Sequence, residues 1–372
     1  MNQSMALGMD ALYGSSTLKD NILFRAGLFT SGLWTNAMLR FYSHETAHEY
    51  LYRANNVHIQ NALDFQQWKS SYIPLLYYPG WKQSQINPNV LNEDELMIAT
   101  VSGLNQDELN ADAVRLSFIE RGVISFYDAQ SYLLTKLRDV EYILRSGSDE
   151  APFTPGQKIH QLQYDVYAET PHLFDDVNLY RLALLNNGVN ITNKQLLNRA
   201  LFADLLSWHT WESAWSLFAF MLRGDHSTRP RALRVGKNAA ILPPLFSHYM
   251  TTQGSFFNSS YVLEIGNRRL VVDIGSMIGF TNIKAFQHYR VGVKVLNIKM
   301  TSFWQTSPFA FFNGKSGLNV TGHAVGFENI ISLYRHVAIT ARAEYNRNDL
   351  LENLVKHEKN GFQLVFGVRS AF

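Results

Sequence analysis

At about Gly254 the spacing of apolar residues changes, and that change limits what this chain can fold into. Beyond it the pattern has period two. Tyr261, Leu263 and Ile265 share one side of a run, and Val291, Val293 and Val295 share one side of the next clear one. In 333–345, Val337, Ile339, Ala341, Ala343 and Tyr345 alternate with His336, Ala338, Thr340, Arg342 and Glu344. In the last run Phe362, Leu364, Phe366 and Val368 alternate with Gln363, Val365, Gly367 and Arg369. This alternation predicts strands with one apolar and one polar face, joined by hairpins at Gly266-Asn267 and Asn360-Gly361. About six such runs occur, most of roughly 9–13 residues, close to the roughly 9–11 that cross a bilayer and longer than ordinary strands. Two outcomes are open. One is a soluble antiparallel sheet packed on helices. The other is a barrel in a bilayer, which has to close because hydrocarbon cannot satisfy an open edge.

From about Leu33 to Leu222 apolar residues instead recur at three and four, in 107–121, 124–144 and 196–222. That is the pattern of helices. Gly103, Gly122 and Gly188 stand where helices should stop or start, and Pro152, Pro155 and Pro171 break up a loop region around 147–175. The expected fold class is α+β. A mainly helical part covers residues 1–250, and antiparallel β-barrel strands cover 251–372. Six strands are fewer than the roughly eight of the smallest bacterial barrels. Residues 10–30, where 21–29 can be read as extended, or 228–250 could supply the rest.

The chain has 372 residues, enough for one large or two ordinary domains. It has no cysteine, which excludes thiol catalysis, Cys-ligated zinc and disulfides. A net charge of +2, without a long basic run, argues against nucleic acid as a partner. Charged residues make up 17% of the chain, against roughly 25% in an average domain, while aromatics reach 13%. Few charges beside many Phe and Tyr suggest a surface that does not all face water. No stretch reaches the roughly 18 apolar residues of a membrane-spanning helix, and the longest, 214–222, fits a buried helix. The first residues lack the basic start and apolar core of a signal peptide. The expectation is either a cytoplasmic chain or a mature chain whose signal has been removed.

The final strand run closes on Phe372. A terminal aromatic preceded by apolar residues at alternate places resembles the C-terminal signal of bacterial outer-membrane β-barrels. Ser370, where such signals usually carry an apolar or aromatic residue, departs from the pattern. The resemblance implies a transmembrane barrel, a lipid bilayer as partner, and the outer membrane of a Gram-negative-type bacterium as location. A soluble periplasmic protein is the alternative.

His44-Glu45-Thr46-Ala47-His48 lies in 35–53, a stretch with helical spacing and neither Gly nor Pro. Two histidines four apart project from one face of a helix, one turn apart, and can bind one tetrahedral zinc ion. Glu45 leans towards the open position of the metal, where it can take a proton from water the metal has activated. This is the metallopeptidase arrangement. Catalytic zinc normally has a third protein ligand. Downstream, a helix expected to start after Gly103 carries Glu108 and Asp112 one turn apart. This pair resembles the second motif of the thermolysin-like (gluzincin) metallopeptidases. The resemblance implies Glu108 as third zinc ligand and Asp112 as the oxygen partner that orients His44 or His48. Asp107 competes with Glu108 by one position, and Glu49 stands where family members usually have an uncharged residue. The two motifs cover a small part of the chain.

A peptidase also uses a His or Tyr donor for the oxyanion of its tetrahedral intermediate. Candidates are His160, Tyr164 and Tyr167 in the loop region, and His209 on a helix with three tryptophans. His209 with Glu212 is also a back-up metal pair. The sequence reading is thus a Zn2+-dependent metallopeptidase of the outer membrane, acting on a peptide or protein substrate. Two alternatives stand beside it. One is a non-catalytic barrel, porin-like or an assembly component, and the other is a zinc hydrolase acting on lipid or peptidoglycan.

Overall fold

The computed structural model describes residues 8–9, 11–14, 16, 18, 20–57, 59–70, 77–85, 91–146, 176–252, 254–278, 288–315, 319–334, 337–348 and 360–370. Helix α1 (Ile22–Ala54) starts at Asn21, whose side chain accepts from the N–H groups of Leu23 and Phe24. Its buried positions recur every three or four residues and include Leu28, Gly32, Arg40, His44, His48 and Leu51. The two histidines of the motif therefore lie on the face that the helix turns towards the protein. Helix α2 (Glu93–Arg121) opens with a capping box, in which Asn92 and Glu95 each satisfy the other's backbone N–H. It ends at Gly122, whose φ of +68° is the left-handed conformation glycine adopts without strain. Gly103 does not start this helix, as the sequence led us to expect. It lies inside α2, because the Asn92 box sets the start further upstream.

Helices α3 (Phe126–Lys136), α4 (Arg138–Arg145), α5 (Asp176–Asn186), α6 (Asn193–Leu206) and α7 (Trp208–Arg223) complete the helical part. Helix α2 packs against α1, α3, α4 and α5. Leu51, Met97, Val101, Leu104, Ile143, Tyr180 and Leu196 form the largest buried apolar cluster there. Two strands interrupt the region read as helical: β1 (Ile59–Ser70) pairs antiparallel with β2 (Tyr77–Gln85). A short pair, β3 (Ile124–Ser125) with β4 (Ser227–Thr228), ties the start of α3 to the segment after α7.

The second part is one antiparallel sheet. It is built from β5 (Leu233–Arg234), β6 (Ala239–Met250), β7 (Ser255–Ile265), β8 (Arg268–Ile278) and β9 (His288–Leu296). It continues through β10 (Ile298–Lys299), β11 (Trp304–Lys315), β12 (Asn319–Tyr334), β13 (Val337–Arg347) and β14 (Gly361–Ser370). The order across it is β14-β13-β12-β11-β9-β8-β7-β6-β5, with β10 beside β11. The α+β class is therefore observed. The closed barrel is not: among the described residues β14 pairs only with β13, and β5 only with β6. Residues 22–30 are helical and add no strand, whereas 228–250 does, through β5 and β6. The sheet thus begins before residue 251. The expected join at Gly266-Asn267 links β7 to β8, but Asn360-Gly361 is no tight turn, since β13 already ends at Arg347.

The helical part explains the open margin. Strand β5 covers only Ala240 and Ile241 of β6. Further along β6 the backbone is met by side chains instead. The Ser207 hydroxyl donates to Phe246 O and accepts from Phe246 N, both at 2.9 Å. The Asn105 amide does the same with Met250 O and N, both at 2.9 Å. Polar groups that would otherwise recruit another strand are satisfied by α2 and the α6–α7 junction. On the inner face of the sheet, Leu242, Val262, Val271 and Leu296 pack on Ile119 near the end of α2, joining the two parts in one core.

Candidate metal centre

Three elements meet at His44. Helix α1 supplies His44 and His48, α2 supplies the surface they rest on, and the first residue of α5 supplies Asp176. Gly103 makes the approach of α1 and α2 possible, because a Cβ there would lie 2.6 Å from His44 Cδ2 and Cε1. One turn further along α2, the Asp107 carboxylate accepts from His44 Nδ1 at 2.9 Å. His48 Nδ1 is 2.6 Å from the Ala99 carbonyl oxygen and 3.1 Å from Ser102 Oγ. With both Nδ1 atoms engaged on α2, both Nε2 atoms point towards Asp176. Asp176 Oδ2 is 3.3 Å from His44 Nε2 and 3.6 Å from His48 Nε2. Donor atoms of the three residues all lie within 4.8 Å of one another, the one such group among the described residues.

The chemistry of this donor set fits a metal. A neutral imidazole carries one N–H, yet each ring here has an oxygen acceptor at both nitrogens. The set therefore calls for positive charge, as a second proton on a ring or as one divalent cation at the Nε2 atoms. Burial works to lower the pKa of His48, but the Asp176 carboxylate, with help from Glu45 and the Ala99 carbonyl, raises it to about 9. His44 moves in the same direction: Asp107 and Asp176 outweigh its burial. Burial pushes Asp176 up, and the two imidazoles more than reverse this, so its carboxylate stays ionised. A ring held through Nδ1 by an oxygen, presenting Nε2, is the usual setting of a ligating histidine.

Glu45 is half-buried beside the pair, and its charge acts on His48. Tyr142 stacks on the His44 ring with centroids 5.3 Å apart, and Arg138 lies 3.9 Å above the Tyr142 ring. Thus His44, Glu45 and His48 are brought together as their spacing suggested.

The second motif is placed differently. Glu108 is not in the metal group. Both of its oxygens accept from Lys136 Nζ, at 2.7 and 2.8 Å, in a buried ion pair that Asp204 joins at 3.2 Å. Asp112 pairs with Arg115, which reaches across to Ser260 of β7. The register explains the shift. Successive residues of a helix are about 100° apart around its axis. Asp107 shares the Gly103 side of α2, while Glu108 is turned towards α3. Asp107, and not Asp112, therefore meets His44 Nδ1, and Asp176, and not Glu108, completes the group of donor atoms.

His209 is buried and bonded to Glu212 at 2.9 Å, on the inner side of α7, and among the described residues no third metal-binding group joins them. It sits apart from the metal centre as a structural pair, with Glu212 also accepting from Arg231 N. His160, Tyr164 and Tyr167 lie outside the described residues. Asp176 was missed because it falls far from the motif in sequence. Its one signal is an acidic pair, Asp175-Asp176, just before a helical run. No family model, curated protein or solved structure matches this chain, so the reading of the site rests on its geometry and chemistry.

Proposed function

We propose that the chain is a zinc-dependent hydrolase of peptide bonds held at the outer membrane of a Gram-negative-type bacterium. The observation that carries the catalytic half is the convergence of two Nε2 atoms and the Asp176 carboxylate, with Glu45 alongside. When bound, zinc would lower the pKa of water to near neutrality and polarise the scissile carbonyl. His44, His48 and Asp176 would hold it. Asp107 and the Ala99 carbonyl fix the two rings through Nδ1 and leave each Nε2 turned towards Asp176. Glu45 takes a proton from the attacking water and passes it to the leaving amine.

The location is supported by the outer face of the sheet. One rung runs across seven strands as Tyr261, Val272, Val293, Ala310, Val325, Tyr345 and Phe362. It carries no charge, while the opposite face holds Asp273, Arg290, Lys294, Glu328, Arg342 and Glu344. A strand face of this kind suits hydrocarbon.

The test is Glu45→Gln. The variant should keep one zinc per chain by elemental analysis and lose about 10²–10⁴-fold in peptidase rate. Full activity would reject the role of Glu45. Purified protein without stoichiometric zinc would favour the non-catalytic alternative. A substrate screen with a chelator control separates peptide from lipid or peptidoglycan as the target.

A further inference from the structure

Helix α7 is built inside out. Its buried side chains include His209, Thr210, Glu212, Ser213 and Ser216. Its exposed ones are Trp208, Trp211, Trp215, Phe218 and Leu222, at 42–59% exposure, with Ala214 between them and Arg223 at the end. Their spacing of three and four puts them on one stripe. A helix on a protein surface in water shows the opposite arrangement. Helix α6 changes character along its length. Lys194, Gln195 and Asn198 are its exposed residues near the start, and Phe202, Leu205 and Leu206 near the end.

The stripe is continuous with the outer face of the sheet. The Phe202 ring meets that of Phe257, an outward residue of β7, with centroids 6.3 Å apart. Ser207, between α6 and α7, is bonded to the backbone of Phe246 in β6. The helices therefore stand at the margin where the sheet lacks a further long strand, and they carry its largely apolar outer surface onwards. Beyond α7 the surface changes again. Arg223, Arg229, Arg231, Arg234 and Lys237 are all exposed, with Asp225 the one acidic residue among them. An apolar, Trp-rich stripe that gives way to a cluster of cations complements a bilayer with anionic headgroups.

We infer that α6 and α7 form part of the lipid-facing wall of this protein. They would take the place of missing barrel strands, with the cations of 223–237 lying among anionic headgroups. This rests on the membrane reading above and adds to it, since in that reading the sheet alone meets lipid. Three inward polar residues of α7 have partners there: His209 and Glu212 pair with each other, Glu212 also accepts from Arg231 N, and Ser216 donates to the Ile124 carbonyl. Backbone groups inside a helix need no solvent, so a helix can replace strands against hydrocarbon where an open sheet margin cannot.

The absence of cysteine from the chain gives a direct test. Single variants Trp211→Cys, Phe218→Cys, Phe327→Cys and Lys237→Cys carry a nitroxide label in the otherwise intact protein. Each is reconstituted into vesicles of phosphatidylcholine and phosphatidylglycerol. Relaxation of the label by oxygen, which concentrates in hydrocarbon, is compared with relaxation by a water-soluble nickel complex. The expected result is oxygen-dominated relaxation at 211, 218 and 327 by several-fold, and nickel-dominated relaxation at 237. Nickel-dominated relaxation at 211 and 218 with oxygen-dominated relaxation at 327 would overturn the inference and leave the membrane reading standing. Nickel-dominated relaxation at all four positions would overturn both. All four side chains are exposed, so labelling does not disturb the core.

Discussion

Replacing Gly103 by alanine should weaken the proposed metal centre without replacing a ligand. The His44 ring rests on the bare backbone of α2 at this position. An added Cβ would press first on His44 Nε2 and lie 2.6 Å from Cδ2 and Cε1, against 3.4 Å for ordinary contact, so the ring has to retreat by at least about 0.8 Å. It is not free to do so, because Asp107, one turn along the same helix, holds Nδ1 at 2.9 Å. Metal–ligand distances tolerate only about ±0.2 Å. The displaced nitrogen therefore leaves the set, and zinc affinity should fall by about 10–100-fold, the range seen when the groups orienting a ligand are lost. The helix itself does not object. Alanine is favoured over glycine inside a helix by about 1 kcal/mol, against a cost of about 1–3 kcal/mol for overpacking. Zinc competition with a chromogenic chelator measures the affinity, and thermal melting of the chelated protein checks that the variant folds. A folded Gly103→Ala protein with the zinc affinity of the wild type would refute the reasoning.

Asp176→Ala should weaken zinc binding by more than ~100-fold and Asp107→Ala by ~10–100-fold, whereas Glu108→Gln should leave zinc content unchanged. The same competition assay ranks the three, and loss of metal on changing Glu108 would contradict the placement of Asp176. Lys136→Met removes the cation that Glu108 and Asp204 share and should destabilise the fold by about 3–5 kcal/mol, read from urea unfolding. Stability should also depend on pH through Glu108. Burial first, and Asp204 after it, raise its pKa to about 7 although Lys136 opposes them. The unfolded chain gives up this proton near the ordinary value of 4.5 while the folded protein still holds it. The folded state thus binds more protons across that window, and stability falls as pH rises from about 4.5 to about 7. Glu108→Gln should flatten this dependence, and an unchanged slope would exclude Glu108 as its source.

What the sequence made legible follows from how local each feature is. His44, Glu45 and His48 sit within one turn of one helix, so their common face could be read from spacing. The alternation in 361–369 and 337–345 likewise fixes a two-faced strand wherever it pairs. Choosing between Asp107 and Glu108 needed the rotation of α2 relative to α1. That rotation is set by the contact of Gly103 with His44 and by the pairing of Glu108 with Lys136, both between distant segments. Asp176 was out of reach for the same reason. The open sheet was misread because alternation reports the faces of strands and says nothing about what meets the last one. Here that role falls to Asn105 inside α2 and Ser207 at the α6–α7 junction, two polar residues with no local signal of that role.

The polarity of α7 can be weighed against the stability of a whole domain. Full burial of a large apolar side chain is worth about 1.5–3 kcal/mol. In water, five such side chains left about half exposed on one helix would forgo about 4–8 kcal/mol. Folded domains are stable by only about 5–15 kcal/mol in total. Scattered exposed apolar residues are normal, but a continuous stripe of this size is not. The sheet repeats the inversion: Lys294 and Glu328 pair at 2.6 Å on its inner face, while Phe327 and Val293 point outwards. Two elements with different periods, 3.6 and 2, place their charges on the same side of one surface. A shared apolar surrounding, as proposed above, would account for both.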